Sequence, residues 1–359
     1  MNEFLSSDLD MDLTGTETPK KIQPIGEIRK LLQPIEGTDD FILDVDWSTF
    51  SGYLTCPRQG EFSMLFSRND GGSAALTYGR AIHRGLERIY HARAANCAID
   101  WSSIISDIHR EYEGIAYGAE WRTPERALDT LTEYVEKYGN EAYSVLSIGE
   151  GTPFIEKPFS YTLCKVPVNA TLPYTHDQIV KTHTGNLDKV YVRDIYINWT
   201  GVLDLALVSA DGNVWPVDHK TTSMAGPAYY RSFALSGQFV GYCAAFRELL
   251  GIVPTGMIGN FIIGRKPSVK GKGKSLEFER QLYQYPEWQL DQWKVDMIHH
   301  IEKFIQDLRV GYFGANPVSC SGKYGLCRYF TTCEAAPEDR LTHLMSDAYV
   351  FNVWNPLAD

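Results

Sequence analysis

Two carboxylates and an ammonium fall within twenty residues of one another: Gly201-Val202-Leu203-Asp204, a turn at Asp211-Gly212, then Asp218-His219-Lys220. Folded as a β-hairpin, this stretch brings Asp204, Asp218 and Lys220 to one place on two adjacent strands. Two hard oxygen ligands suit a Mg²⁺ ion, and an ammonium beside them can orient or deprotonate an attacking water. That is the smallest kit able to hydrolyse a phosphodiester with a metal. The same residues also suit a buried Asp–Lys ion pair that merely joins two strands.

The hairpin follows from pattern. Residues 196–209 are rich in β-branched, aromatic and aliphatic side chains, and their one glycine fits a bulge or a close backbone approach. Asp211-Gly212 is a strong two-residue turn signal, and residues 214–221 read as the return strand. Alternation along that strand puts Asp218 and Lys220 on one face and His219 on the other. Asp204 lies in the apolar run 202–207, where an unpaired carboxylate is costly and a cation is a natural partner. Upstream, Ile82, Leu86, Ile89 and Tyr90 mark an amphipathic helix on which His83 and Glu87 share a face. Downstream, Gln238 and Tyr242 are likewise four apart on a helix reaching about Gly251. Taken singly, each of these fits an ordinary helix residue as well as a functional one.

The order His83, Gly201-x-x-Asp204, Asp218-x-Lys220, Gln238-x-x-x-Tyr242 resembles the RecB-type branch of the PD-(D/E)XK nuclease superfamily. The resemblance spans about residues 51–333. It implies a restriction-endonuclease-like α/β core with a central mixed sheet flanked by helices. It also implies a Mg²⁺ or Mn²⁺ ion held by Asp204, Asp218 and the backbone carbonyl of His219, with His83 completing the shell or serving a second ion. Lys220 would serve the water, and Gln238 and Tyr242 would border DNA. Where many relatives carry Glu as the second acid, this chain has Asp218. The function implied is a metal-dependent DNA exonuclease of recombination, repair or phage DNA metabolism. An endonuclease of the same fold and a non-catalytic DNA-binding scaffold remain alternatives, and the intact acid–acid–lysine set argues against the scaffold.

Seven cysteines, an odd number, with no signal peptide and no tight pairing pattern, argue against a secreted disulfide framework and for a reducing cytoplasm. Cys320, Cys327 and Cys333 lie within fourteen residues, and Cys56 lies far upstream. One cysteine before the core and three after it resemble the iron–sulfur members of the superfamily, in which four thiolates hold a [4Fe–4S] cluster. The six residues between Cys320 and Cys327 depart from the usual two, whereas the five between Cys327 and Cys333 match. A structural Zn²⁺ and a set of plain semi-buried thiols are the competing readings. Cys97, Cys164 and Cys243 have no partner pattern.

The net charge of −11 argues against a protein that coats duplex DNA non-specifically. Residues 1–45 hold ten acids and four bases, net −6, so the rest of the chain carries −5. This segment reads as a mobile acidic arm, a docking tail for a partner such as a recombination or annealing protein. A local basic track is present at Arg265, Lys266, Lys270, Lys272 and Lys274, with no acid among them. It reads as a DNA-contacting loop or a solvated hairpin tip. No apolar run is long enough to cross a membrane. Helices are expected over 51–66, 78–95, 101–117, 124–145, 228–250 and 287–311. Strands are expected over 154–163, 186–193, 196–209, 214–221, 255–263 and 276–284. The implied organisation is an arm (1–45), a helical part (46–150), the core (151–313) and a Cys-rich arm (314–359).

Overall fold

Apolar stretches bounded by turn residues become strands, and those recurring every three or four positions become helices. The computed structural model describes residues 31–69, 73–114, 121–149, 151–173, 189–266, 275–322 and 325–351. In chain order the principal elements are β1 (Phe41–Val45), α1 (Trp47–Thr55), α2 (Ala74–Ala94), α3 (Trp101–Glu111), α4 (Pro124–Tyr138) and β2 (Ile155–Pro173). There follow β3 (Lys189–Val208), β4 (Val214–Thr222), α5 (Gly237–Leu250), β5 (Met257–Gly264), β6 (Leu276–Tyr283) and α6 (Glu287–Val310). The architecture is the expected one, a central mixed sheet flanked by helices. The chain divides into two units.

The first unit comprises Met1–Gly71, Ser160–Gly201 and Val295–Asp359. Here β1, which falls inside the segment read as an acidic arm, runs parallel to the first half of β3, with Phe41 opposite Ile195 and Val45 opposite Trp199. The strands expected over 186–193 and 196–209 are one continuous strand from Lys189; residues 186–188 lie outside the described ones. The helix expected over 51–66 is broken. Cys56 is extended (φ −156°) because the Pro57 ring clashes with a helical residue before it. A short helix and a π-helical turn, Glu61–Leu65, follow the break. On α1, Phe50 and Tyr53 are buried against Phe304 of α6.

The second unit comprises Gly72–Phe159 and Val202–Lys294 and holds the hairpin. Strand β4 pairs antiparallel with the end of β3, Leu205 opposite Val217, and parallel with β5, His219 opposite Asn260. The Asp211-Gly212 turn joins β3 to β4, with Gly212 at φ +83°, a conformation glycine adopts without strain. Helices α2, α3 and α4 cover one face through Ile82, Leu86, Ile104, Ile108 and Leu131, packed on Leu205, Val217, Ile258 and Ile262. A Cβ on Gly85 of α2 would lie 2.2 Å from the Leu131 side chain, so glycine is what lets α4 approach so closely. The helix expected over 124–145 stops at Tyr138, and Ser144–Val145 instead pairs with β3. The helix expected over 228–250 is interrupted at Ser236, whose hydroxyl accepts a hydrogen bond from the Phe239 amide and so starts α5 afresh.

Candidate active site

Alternation on β4 puts Asp218 and Lys220 on one face and the buried His219 ring on the other. Continuing the β3–β4 register brings Asp204 opposite Asp218. The His219 amide donates to Asp204 Oδ2 at 2.7 Å. From α2, His83 reaches the same point: its Nε2 lies 2.9 Å from the His219 carbonyl and its Nδ1 3.6 Å from Asp204 Oδ2. With Nε2 donating to the carbonyl, Nδ1 is the nitrogen with a lone pair to offer a cation. The carbonyl expected to hold the metal is thus engaged by His83 with one of its two lone pairs.

Sequence reasoning missed the third member of this cluster. Glu156, at the start of β2, places a carboxylate oxygen so that ligand atoms of His83, Glu156 and Asp204 all lie within 4.8 Å of one another. Burial pushes its carboxyl up to about 9, and the neighbouring Asp204 and Glu87 carboxylates add to the push. Its backbone is left-handed, φ +45°, which only a surrounding structure that over-determines it will hold in a non-glycine residue. No motif or periodicity marks it; the backbone strain is the one local sign. Acids so crowded and desolvated cannot all ionise without a cation, so the donor set of one imidazole and two carboxylates fits a divalent ion.

Beside this cluster runs a second chain of contacts. The Lys220 ammonium lies 2.8 Å from Asp218 Oδ2 and donates to Oδ1 at 3.1 Å and to Gln238 Oε1 at 2.9 Å. Gln238 Nε2 in turn donates to the Tyr242 hydroxyl at 3.1 Å. Tyr242 is buried, edge-on to Phe159. Asp218 is fully enclosed; burial pushes it up to about 6, Lys220 pulls it back and Asp204 pushes it further. Its Oδ2 is enclosed and faces the Lys220 ammonium as an ion pair.

Residues 47–334 match the family model described as the PD-(D/E)XK nuclease superfamily. The chain belongs to the PD-(D/E)XK nuclease superfamily. Its nuclease fold implies a DNA substrate; nucleases of that superfamily usually use divalent metal, and His83, Glu156 and Asp204 form a group able to hold one. No curated protein matches it in sequence. Among solved structures it is similar to a protein described as a "putative exonuclease" from Eubacterium rectale. That likeness has 10% identity and a TM-score of 0.37, and it covers 74% of this chain and 82% of that one.

The four cysteines all lie in the first unit of this PD-(D/E)XK chain. Cys56 Sγ accepts from the Asn316 amide at 3.3 Å, Cys320 Sγ lies 3.8 Å from the Asn316 carbonyl, and the Cys327 amide donates to the Cys320 carbonyl at 2.9 Å. Burial pushes the Cys333 thiol up, and nearby Cys56 and Cys327 add to it. No three of these sulfurs lie within 4.8 Å of one another. Around one zinc, Zn–S bonds of about 2.3 Å would set tetrahedral sulfurs about 3.8 Å apart. Cys97 is exposed and Cys243 is buried in α5. In the basic segment, Arg265 pairs with Glu277 across the β5–β6 hairpin at 2.8 Å. Lys266 follows it, and Lys270, Lys272 and Lys274 lie outside the described residues, as does the arm up to residue 30. Among the described residues no helix is long and apolar enough to cross a membrane.

Proposed function

We propose that this chain is a Mg²⁺- or Mn²⁺-dependent DNA exonuclease of recombination, repair or phage DNA metabolism, working in the cytoplasm. One observation carries the reading: His83, Glu156 and Asp204 converge beside the Asp218–Lys220–Gln238 chain, on the two sides of the His219 peptide. His83 Nδ1, Glu156 and Asp204 would hold the ion, with Asp218 joining the ligand set while it anchors Lys220. When bound, a divalent ion supplies Lewis-acid polarisation of the phosphate and eases ionisation of water.

The chain's own groups do the rest. Lys220, clamped between Asp218 and Gln238, presents its remaining N–H to the attacking water or to a non-bridging phosphate oxygen, where charge grows during in-line displacement. Gln238, held by Tyr242, keeps the ammonium from swinging away. Asp204 keeps its orientation through the His219 amide. The basic segment around Lys270, Lys272 and Lys274 would add phosphate contacts that carry affinity without chemistry. The acidic arm would take a partner protein of recombination or annealing.

The preference for ends rests on the motif resemblance. Its test is time-resolved digestion of 5′- and 3′-labelled linear DNA beside covalently closed circles, with Mg²⁺ or Mn²⁺. Linear DNA shortened from an end with circles intact is expected. Circles cut as fast as linear DNA would make it an endonuclease, and no metal-stimulated cleavage would make it a scaffold. We further propose that Cys56, Cys320, Cys327 and Cys333 hold a [4Fe–4S] cluster. The meeting of Cys56 and Cys320 at Asn316 supports a shared ligand, and the choice of an iron–sulfur cluster over zinc rests on the motif resemblance.

A further inference from the structure

His219 serves the cation cluster twice with its backbone, and its ring lies edge-on to the His83 ring with centroids 5.7 Å apart. Its N–H orients Asp204 and its carbonyl orients His83, so two candidate ligands depend on the tilt of the peptide groups flanking one residue. The His219 ring, on the far face of β4, lies flat on Tyr90 with centroids 5.9 Å apart and planes 17° apart. Its Nδ1 lies 2.7 Å from Nδ2 of Asn260, the residue directly opposite on β5.

Asn260 is wholly buried and shares its strand face with Ile258 and Ile262, a face otherwise made for apolar packing. Its Oδ1 accepts from Arg280 Nε at 3.3 Å, and its Nδ2 also donates to the Tyr134 hydroxyl at 3.0 Å. Arg280 Nη2 donates to the hydroxyls of Tyr90 and Tyr134, each at 2.8 Å, and the guanidinium pairs with Glu141, which also receives Arg93. Donor inventory fixes the orientations. A guanidinium only donates, so the Asn260 oxygen must face Arg280 and its NH₂ must face Tyr134 and His219. A ring nitrogen that accepts from that NH₂ belongs to neutral imidazole with its proton on Nε2.

Replacing such a buried polar and ionic group by well-packed apolar residues is often neutral or stabilising. Stability alone therefore does not account for an Asn, an Arg and a Glu beneath an Ile-lined strand face. Orientation of the ring does. We propose that Asn260, backed by Arg280 and Tyr134, is a positioning residue for the cation cluster. It locks the His219 ring and thereby the peptide groups that aim Asp204 and His83. This rests on the metal-dependent reading above. None of the three touches the reacting atoms; they act through His219.

The test measures Mn²⁺ binding to the full chain by calorimetry, alongside kcat, KM for DNA and the unfolding midpoint. Asn260→Leu keeps the volume and removes every bond the amide makes. It is expected to weaken Mn²⁺ binding about ten-fold or more and to lower kcat at limiting Mn²⁺ similarly, the range seen when groups behind metal ligands are lost. Excess Mn²⁺ should recover part of kcat, with KM for DNA unchanged. Tyr134→Phe keeps the ring and removes one hydroxyl, and it should show a smaller loss of the same kind. A folded Asn260→Leu protein with wild-type Mn²⁺ affinity overturns the proposal. If that variant does not fold, an unchanged Mn²⁺ affinity in Tyr134→Phe overturns it instead. A wild-type protein that binds Mn²⁺ but cleaves no DNA would sink the nuclease reading, and the calorimetric comparison would still decide this proposal.

Discussion

Replacing Glu156 by Gln should flatten the pH dependence of stability in the metal-free protein and weaken its response to Mn²⁺. Burial first, then Asp204 and Glu87, push Glu156 from 4.5 to about 9, while Arg84 pulls it back and Asp218 adds a lesser push. In the unfolded chain the group ionises above 4.5; in the folded chain it keeps its proton up to about 9. Folding therefore takes up a proton in that window. The stability present at low pH is lost as pH rises toward the folded value, with a slope of at most about 1.4 kcal/mol per pH unit. Between about pH 5 and about pH 7 the loss attributable to this one group is on the order of a few kcal/mol, large against the roughly 5–15 kcal/mol of a typical fold. Asp218, up from 3.8 to about 6, adds a loss of the same sign that ends near that lower value. Gln cannot titrate, so the variant should lose the Glu156 component and keep the Asp218 one. A divalent cation favours the ionised form, so Mn²⁺ should stabilise the wild type more as pH rises and should stabilise Glu156→Gln less at every pH. The assay is denaturant unfolding followed by near-UV circular dichroism across this range, first in chelator and then in saturating Mn²⁺. Parallel stability–pH curves for the two proteins in chelator would refute the proton assignment. An equal Mn²⁺ gain in both would remove Glu156 from the cation cluster.

Lys220→Ala and Asp218→Ala should each lower kcat by about a thousand-fold or more in protein that still folds, since they act where charge develops. The double variant should lose little beyond either single one, because the pair works as a unit; near wild-type turnover by Lys220→Ala would sink the mechanism. Changing Lys270, Lys272 and Lys274 to Gln should weaken DNA binding and reduce its log–log salt slope by about two to three, with kcat at saturating DNA unchanged. An unaltered slope would return that loop to a solvated tip. Protein purified without oxygen should be brown, Cys56→Ala or Cys333→Ala should bleach and destabilise it, and Cys97→Ala should do neither. Colourless protein with one stoichiometric zinc would reassign the four thiolates.

Short-range chemistry was legible in the residues themselves. Asp218 and Lys220 share a face because strand side chains alternate, and Asp211-Gly212 could close a tight turn, so the hairpin and the Asp204–Asp218 meeting followed from local pattern. Gln238 and Tyr242 were four apart on a helix, and the structure joins them by a hydrogen bond. Misplaced helix boundaries trace to local rules that hydrophobic periodicity overrode. A proline ends the helix after Thr55, and a serine cap restarts one at Gly237.

What only tertiary structure decided is which distant polar residues face one another. Glu156 opens a strand with no motif around it, and nothing in its neighbours distinguishes it from any exposed glutamate. The fold brings it within reach of His83 and Asp204, and that desolvated crowding is what marks it as a candidate ligand. Asn260 and Arg280 likewise read as ordinary polar positions on two strands until parallel pairing sets Asn260 against His219. A single sequence carries periodicity and turn chemistry because these depend on neighbours along the chain. Burial, like-charge repulsion and donor–acceptor matching depend on neighbours in space, and packing alone supplies those.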